Sequence, residues 1–449
     1  MKFLAARFSS TDSALARLAD FAAQLVDGKV TGVDCVVWGS LLLGVTCGVL
    51  GCFIVLRRQS LLGDAIGHAV LPGVCVGFFF AGTRATPALL VGAMVSGLLA
   101  AALISLLQRT TVLKTAECMG VVFTGFYGVG IVLLKMLQTS GRSGQAGLDK
   151  FLFGQIVGIS LTDVAYMTVV SGLSLALVVG LWRTLAVSTF DEGFARSVGL
   201  PVRVIHYLLV GLLTVAIVIS IQAVGVVLVS AMLVTPAATA YLLTDRLHRM
   251  AILAGAFGAA AGLAGAALSL LGPDLPTGAF MVLAASGLFA AAFALSPRHG
   301  VVPRAIRVWR RQRRTRAENL LRTLYVLGER RGDWGRERRF GVTDVAAVRH
   351  ESPAQVRRFA ALAAANGWVD AASPDPIVLT DAGVAEASRV VRNHRLWELF
   401  LTQEANLAAD HVHADAERIE HVLPPDVLRR LEQMLDRPTT DPHGRPIPA

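Results

Sequence analysis

Nowhere in this 449-residue chain does Gly-x-x-x-x-Gly-Lys-Ser/Thr occur. That loop cradles nucleotide phosphates with backbone amides and a lysine, so the chain is not expected to hydrolyse ATP itself. Charge is scarce as well: Asp, Glu, Lys and Arg make up 16% of the residues against 54% hydrophobic ones, a balance that excludes an ordinary soluble enzyme along most of the length. Cysteine is rarer still. The five (Cys35, Cys47, Cys52, Cys75, Cys118) sit in or beside apolar runs with no CxxC pair, which excludes a thiolate zinc site and leaves packed small hydrophobes. Residues 1–32 hold a weak amphipathic stretch at 13–26 and no long apolar core, so no cleaved signal peptide is expected.

What is present divides in two. Up to Pro297 the chain is glycine-rich and apolar; from Arg298 onward it is charged, with Arg304, Arg307, Arg310, Arg311, Arg313, Arg314 and Arg316 in quick succession. A bilayer crossing takes roughly 20 apolar residues, and on that measure there are about nine runs. They lie near residues 33–56, 60–81, 86–107, 118–137, 163–182, 204–221, 223–243, 250–272 and 276–296, the sixth and seventh parted only by Gln222. Arg57 and Arg58, Arg109 and Lys114, Arg183 with Arg196 and Arg203, and Arg246 with Arg249 fall in alternate loops, with Arg142 and Lys150 as exceptions. Positive loops face the cytoplasm, which places the C-terminal third there and, with nine crossings, the N-terminus outside.

Polar side chains inside the apolar runs carry more information than the glycines, which suit close helix packing in lipid. Asp64 and His68 stand four apart, on one helical face, ahead of Leu71-Pro72-Gly73. A carboxylate with an imidazole binds divalent transition metals; a hydrated pair near a helix end is the other reading. The stretch Phe190-Asp-Glu-Gly-Phe-Ala-Arg-Ser-Val-Gly-Leu-Pro201 reads as a short amphipathic helix, acid-capped and stopped by Gly199 and Pro201. It is either a linker or a docking helix for a soluble partner.

These motifs together resemble the membrane permeases of ABC transporters for manganese, zinc and iron. Gly147-Leu-Asp-Lys-Phe-Leu-Phe-Gly154 and Ala223-Val-Gly-Val-Val-Leu-Val-Ser-Ala-Met-Leu-Val-Thr-Pro-Ala-Ala238 complete a match over residues 30–298, in order. The resemblance implies a permease, homodimeric or paired with a related one, with Asp64 and His68 on the ion path. It also implies an ATPase docked on Asp191, Glu192, Ala195 and Gly199 of the 190–201 loop. Where that family often has a Glu-Asp pair after a lysine, this chain reads Lys114-Thr-Ala-Glu117, leaving Glu117 as the counterpart.

In the last third, residues 317–332 are helix-patterned. A second helix from Val342, a turn at His350-Glu-Ser, a helix over 353–366 and a strand over 376–380 then make a winged-helix pattern. Gln355, Arg357 and Arg358 on the helix after the turn are the DNA-contact candidates. His394 and Glu398 share one helical face; His413, Glu417, Glu420 and His421 fall on another. Carboxylate and imidazole without thiolate suit manganese or iron(II) and tolerate zinc, whereas a solvated charged helix is the plain reading of each residue singly.

Residues 317–449 resemble the metal-dependent repressors of the diphtheria-toxin-repressor class. The carrying residues are Val390-Val-Arg-Asn-His394-Arg-Leu-Trp-Glu398, Ala416-Glu-Arg-Ile-Glu-His-Val422 and the tail Asp441-Pro-His-Gly-Arg-Pro-Ile-Pro448. That resemblance implies metal ligation by Glu417, Glu420 and His421, with His394, Glu398 and His413 there or at a neighbouring site; Glu417 in place of Cys resembles the manganese-responsive branch. Asn319 and Arg322 stand where the family takes further ligands, and arginine ligates no metal.

The expected fold is therefore an all-α polytopic membrane protein followed by a soluble winged-helix and helical metal-binding or dimerisation domain. Its parts are an N-terminal segment (1–32), a permease domain (33–297), a basic linker (298–316), a winged helix (317–385) and a helical domain (386–449). The expected function is the permease subunit of an importer for manganese, zinc or iron at the inner membrane. A separate ATPase would drive it and an extracytoplasmic metal-binding protein would supply it. Two alternatives stay open for the last third: a membrane-anchored DNA-binding regulator, with nucleic acid as partner, and a structural dimerisation module.

Overall fold

A computed structural model describes residues 32–448 apart from 82–85, 140–159, 227, 270, 273–274, 299, 333, 335–337, 374, 405–423 and 437. It divides into two compact units, Met1–Pro303 and Arg304–Ala449.

The first unit is a helical bundle: α1 (Gly32–Leu56), α2 (Leu61–Ala69), α3 (Leu71–Ala81), α4 (Thr86–Thr110), α5 (Thr115–Thr139), α6 (Leu161–Gly180), α7 (Trp182–Phe190), α8 (Glu192–Ser197), α9 (Val202–Val224), α10 (Val229–Tyr241), α11 (Leu247–Ser269) and α12 (Thr277–Leu295). Among the described residues eight helical stretches are long and apolar enough to cross a membrane, α2 and α3 counting as one. The run expected at 223–243 differs. Its helix, α10, has only 13 residues, about 20 Å at 1.5 Å per residue, less than the roughly 30 Å hydrocarbon layer. The division also falls later than Gln222: α9 continues to Val224 and ends at Gly225, whose φ of 88° is open to glycine and strained for other residues.

Lipid removes the hydrophobic incentive for helices to associate, so packing contact has to hold them together. The α1–α11 seam shows how. A Cβ on Gly44 would lie 2.1 Å from the Gly258 carbonyl oxygen, and one on Gly258 would lie 2.0 Å from that of Gly44. Backbone touches backbone there, and any side chain would force the helices apart.

Helix α13 (Val301–Arg331) takes in most of the basic stretch expected as a linker. In the second unit it is followed by β1 (Arg339–Phe340), α14 (Val342–Arg349), α15 (Pro353–Ala364), β2 (Ile377–Val378), α16 (Asp381–Gln403) and α17 (Pro425–Met434). β1 and β2 pair antiparallel, Arg339 opposite Val378 and Phe340 opposite Ile377, with a further bridge between Val369 and Leu379. The winged-helix pattern is realised. His350 closes α14 in the left-handed region, and Ser352 with Gln355 forms a reciprocal capping box that starts α15. Leu320, Leu321, Leu324, Phe340, Val345, Val356 and Ile377 are all buried in one core. Unlike the membrane helices these gain from leaving water, roughly 1.5–3 kcal/mol per large side chain.

Candidate functional site

The Asp64–His68 pair sits in α2, just before the turn residue that separates it from α3 within the second crossing. Pro72 offers no amide to the His68 carbonyl four residues back, and the single turn residue Val70, still helical in its dihedrals, parts α2 from α3. His68 Nε2 lies 3.6 Å from Asp64 Oδ1, with the imidazole largely buried and the carboxylate more open. Two other helices complete the surroundings. Ser230, in the first turn of α10, donates to Asp64 Oδ1 at 3.3 Å. Phe123 and Tyr127 of α5 meet the His68 ring edge-on, at centroid distances of 4.8 and 4.9 Å. His68 Nδ1 is buried with no hydrogen-bond partner among the described residues. The ring thus turns Nε2 toward the carboxylate and leaves Nδ1, the other possible metal-binding nitrogen, unpartnered.

Glu117 is placed differently. It is exposed in the first turn of α5, and its Oε2 accepts the Lys114 amide at 2.9 Å, which is a helix-start role. Among the described residues no group of three or more His, Cys, Asp or Glu gathers as a metal site. The spacing alone could not show Ser230, Phe123 or Tyr127. Ser230 did carry a signal, since it opens the helix after the Gly225 break.

The 190–201 loop folds as expected locally. Asp191 caps α8 by accepting the Phe194 amide at 2.8 Å, Glu192 pairs with Arg196, Ala195 is buried, and Gly199 ends the turn at φ 83°. The surface it offers lies elsewhere: Phe190, Phe194 and Val198, four apart, are 64%, 56% and 60% exposed. Phe190 ends α7, Phe194 lies in α8 and Val198 follows it, so three large apolar side chains stand exposed around this turn, an apolar patch beside the acidic residues.

In the second unit, His394 and Glu398 of α16 are both buried, Nε2 lying 3.0 Å from Oε1. Arg322 of α13 brings its Nη1 to 3.5 Å from His394 Nδ1, inside a cavity of about 570 Å3 that also takes in Asp441 and His443. Asn319 turns its carbonyl to Arg349 at 2.9 Å. His413, Glu417, Glu420 and His421 lie outside the described residues. The tail 441–448 is fastened to α16 rather than free. Buried Arg395 makes a two-pronged pair with Glu329 (2.9 and 2.7 Å) and reaches Asp441 at 3.5 Å, while Arg392 donates to the Pro448 carbonyl at 2.8 Å. Nearby, burial pushes the Tyr325 hydroxyl up from its ordinary pKa, though the charge of Arg395 pulls the other way. Of the DNA-contact candidates, Gln355 has its side-chain oxygen engaged in the α15 cap, and Arg357 and Arg358 are exposed.

Residues 32–296 match the ABC 3 transport family, more than half of the chain. The chain belongs to that family. Residues 380–449 match the metal binding and dimerisation domain of iron-dependent repressors. The manganese transport system membrane protein MntC of Bacillus subtilis is 36% identical over 400 residues, 88% of this chain and 90% of that protein. With the first unit ending at Pro303, so long an alignment extends far into the soluble third. The zinc transport system membrane protein TroC of Treponema pallidum is 41% identical over 281 residues, covering 62% of this chain and 92% of its own. Among solved structures, PsaBC from Streptococcus pneumoniae in complex with Fab matches at 35% identity and a TM-score of 0.54, over 62% of this chain and 97% of that one. This ABC 3 family member is thus a multi-pass membrane protein with a repressor-like domain on the cytoplasmic side.

Proposed function

We propose that the chain is the permease subunit of an importer carrying a divalent transition-metal ion, manganese foremost, across the inner membrane. The observation that carries this is His68, largely buried inside the bundle with Nδ1 unpartnered and Asp64 beside it. The manganese, zinc and chelated-iron transport relatives support the cargo class. Two protein ligands hold an ion weakly enough for it to leave again, as conduction requires. In this reading an extracytoplasmic metal-binding protein delivers the ion, and a separate ATPase engages the exposed Phe190–Phe194–Val198 patch. Two permease copies form the pathway. The test is manganese uptake by cells lacking their own importer and supplied with this chain, its ATPase and its binding protein. Asp64→Ala with His68→Ala should bring uptake to background while the protein stays in the membrane; undiminished uptake overturns the reading.

The soluble domain, in the same proposal, reads the imported metal and throttles transport, through His394, Glu398 and the ligands expected at 413–421. A chain ending after Arg316 should then keep importing at internal manganese levels that slow the full chain. If both chains slow alike, the domain is an appendage to the permease and not its sensor.

A further inference from the structure

A second site lies at the end of the bundle where α1 runs out into Arg57 and Arg58. A cavity of about 650 Å3 opens there between the ends of α1, α4 and α7 and the starts of α8 and α9. Five guanidinium groups line it, those of Arg57, Arg58, Arg109, Arg196 and Arg203, against a single carboxylate, Glu192. Arg196 is matched to Glu192. The other four arginines have no carboxylate partner among the described residues.

Arg57 is the informative one. It is half-buried, and neutral side chains alone hold its guanidinium: Nη2 donates to Ser188 Oγ at 3.1 Å, Nε to Thr189 Oγ1 at 3.4 Å, and Nη1 lies 3.4 Å from His206 Nδ1. Burial pushes its pKa below the ordinary arginine value, with the nearby Glu192 charge working the other way. The preference for positive charge on the cytoplasmic side explains why arginines collect at this end. It does not explain why a guanidinium is pinned by three neutral partners at the wall of a cavity that four other arginines line. Arg57, partly desolvated and ringed by further arginines, gains most from an anion that enters among them.

We propose that this cavity is a binding site for a phosphate group, supplied by the headgroup of an anionic phospholipid or by a soluble phosphate. Arginine forks match phosphate oxygens in pairs, and basic pockets between membrane helices on the cytoplasmic side suit anionic headgroups. The cavity's position at the cytoplasmic end of the crossings gives a headgroup access without leaving the leaflet. Because Glu192 and Arg196 of α8 form part of its wall, an occupant braces the loop that presents Phe190, Phe194 and Val198. The site is independent of the Asp64–His68 pair and of the metal reading.

The experiment uses the full chain in phosphatidylcholine nanodiscs and reads the thermal unfolding midpoint, together with bound lipid counted by native mass spectrometry. One arm titrates inorganic phosphate against chloride at constant ionic strength; the other replaces part of the phosphatidylcholine with phosphatidylglycerol. The expected result is a saturable rise of the midpoint in at least one arm, which also identifies the source. The combined Arg58→Gln, Arg109→Gln and Arg203→Gln variant should weaken that response on the order of tenfold or more, since each charged hydrogen bond contributes at least that factor. These three side chains are exposed, so the variant's own midpoint should stay near that of the parent. A control removing the same charge elsewhere, Arg304→Gln with Arg307→Gln and Arg310→Gln, should respond as the parent does. No saturable response in either arm, or equal losses in the two triple variants, overturns the site. Stabilisation by the ATPase subunit alone, lost in the cavity variant, would assign the arginines to a protein partner and overturn it too.

Discussion

The chain contains two acid–histidine pairs with the same helical spacing, Asp64–His68 in the membrane bundle and His394–Glu398 in the soluble domain, and the structure treats them in opposite ways. In the first, Nδ1 of the imidazole is left without a partner and the carboxylate is partly open. In the second, both side chains are buried, Nε2 faces Glu398 at 3.0 Å, and Arg322 brings a permanent cation to the other ring nitrogen. One pair leaves a ring nitrogen unpartnered; at the other a guanidinium stands beside that nitrogen, and an incoming ion would have to share the space with it. Spacing alone places two groups on one face. What they bind is decided by the third element that packs against them.

The largest effect should come from breaking the open pair. Asp64→Ala with His68→Ala removes manganese uptake, whereas His394→Ala with Glu398→Ala leaves ion carriage by the bundle in place; isotope uptake in the same cells compares the two. Gly44→Leu should come next, because its side chain would have to occupy the space of the Gly258 carbonyl. Overpacking of this kind costs about 3 kcal/mol or more, read as lost yield and a lowered unfolding midpoint of the bundle. Arg395→Ala should destabilise the soluble domain by about 3–5 kcal/mol, since it strands Glu329 and buried Asp441, and limited proteolysis of the full chain should release the 441–448 tail first. Arg322→Glu sharpens the comparison directly. It exchanges the cation beside His394 for a ligand and should tighten Mn(II) binding by the full chain on the order of tenfold in calorimetric titration, in keeping with the dependence of affinity on ligand charge. Gln355→Ala should cost least, about 0.5–1 kcal/mol through the lost α15 cap, seen as a small shift in the domain's unfolding midpoint.

Much of this could be read before any coordinates, and the division follows from range in the chain. The apolar runs, the turn at His350-Glu-Ser, the α8 turn and both i,i+4 pairs are local, and their residues gave them away. The end of α9 at Gly225 was less legible, because Gln222 interrupts the apolar run in composition while the backbone turns three residues later. The aromatic walls around His68 come from α5, some 55 residues on, and Ser230 comes from α10; nothing in the spacing of Asp64 and His68 announces them. The arginine cavity is likewise assembled from five helix termini, each of which reads singly as an ordinary basic loop.

The glycine contact between α1 and α11 has a mechanical consequence. Sliding one helix past another requires an intervening layer of side chains that can change rotamers, and at Gly44 and Gly258 there is none. That seam can therefore serve as a fixed keel but not as a slip plane. Alternating exposure of the Asp64–His68 pair would have to be geared elsewhere, as at Gly225, where the backbone leaves the helical region between α9 and α10.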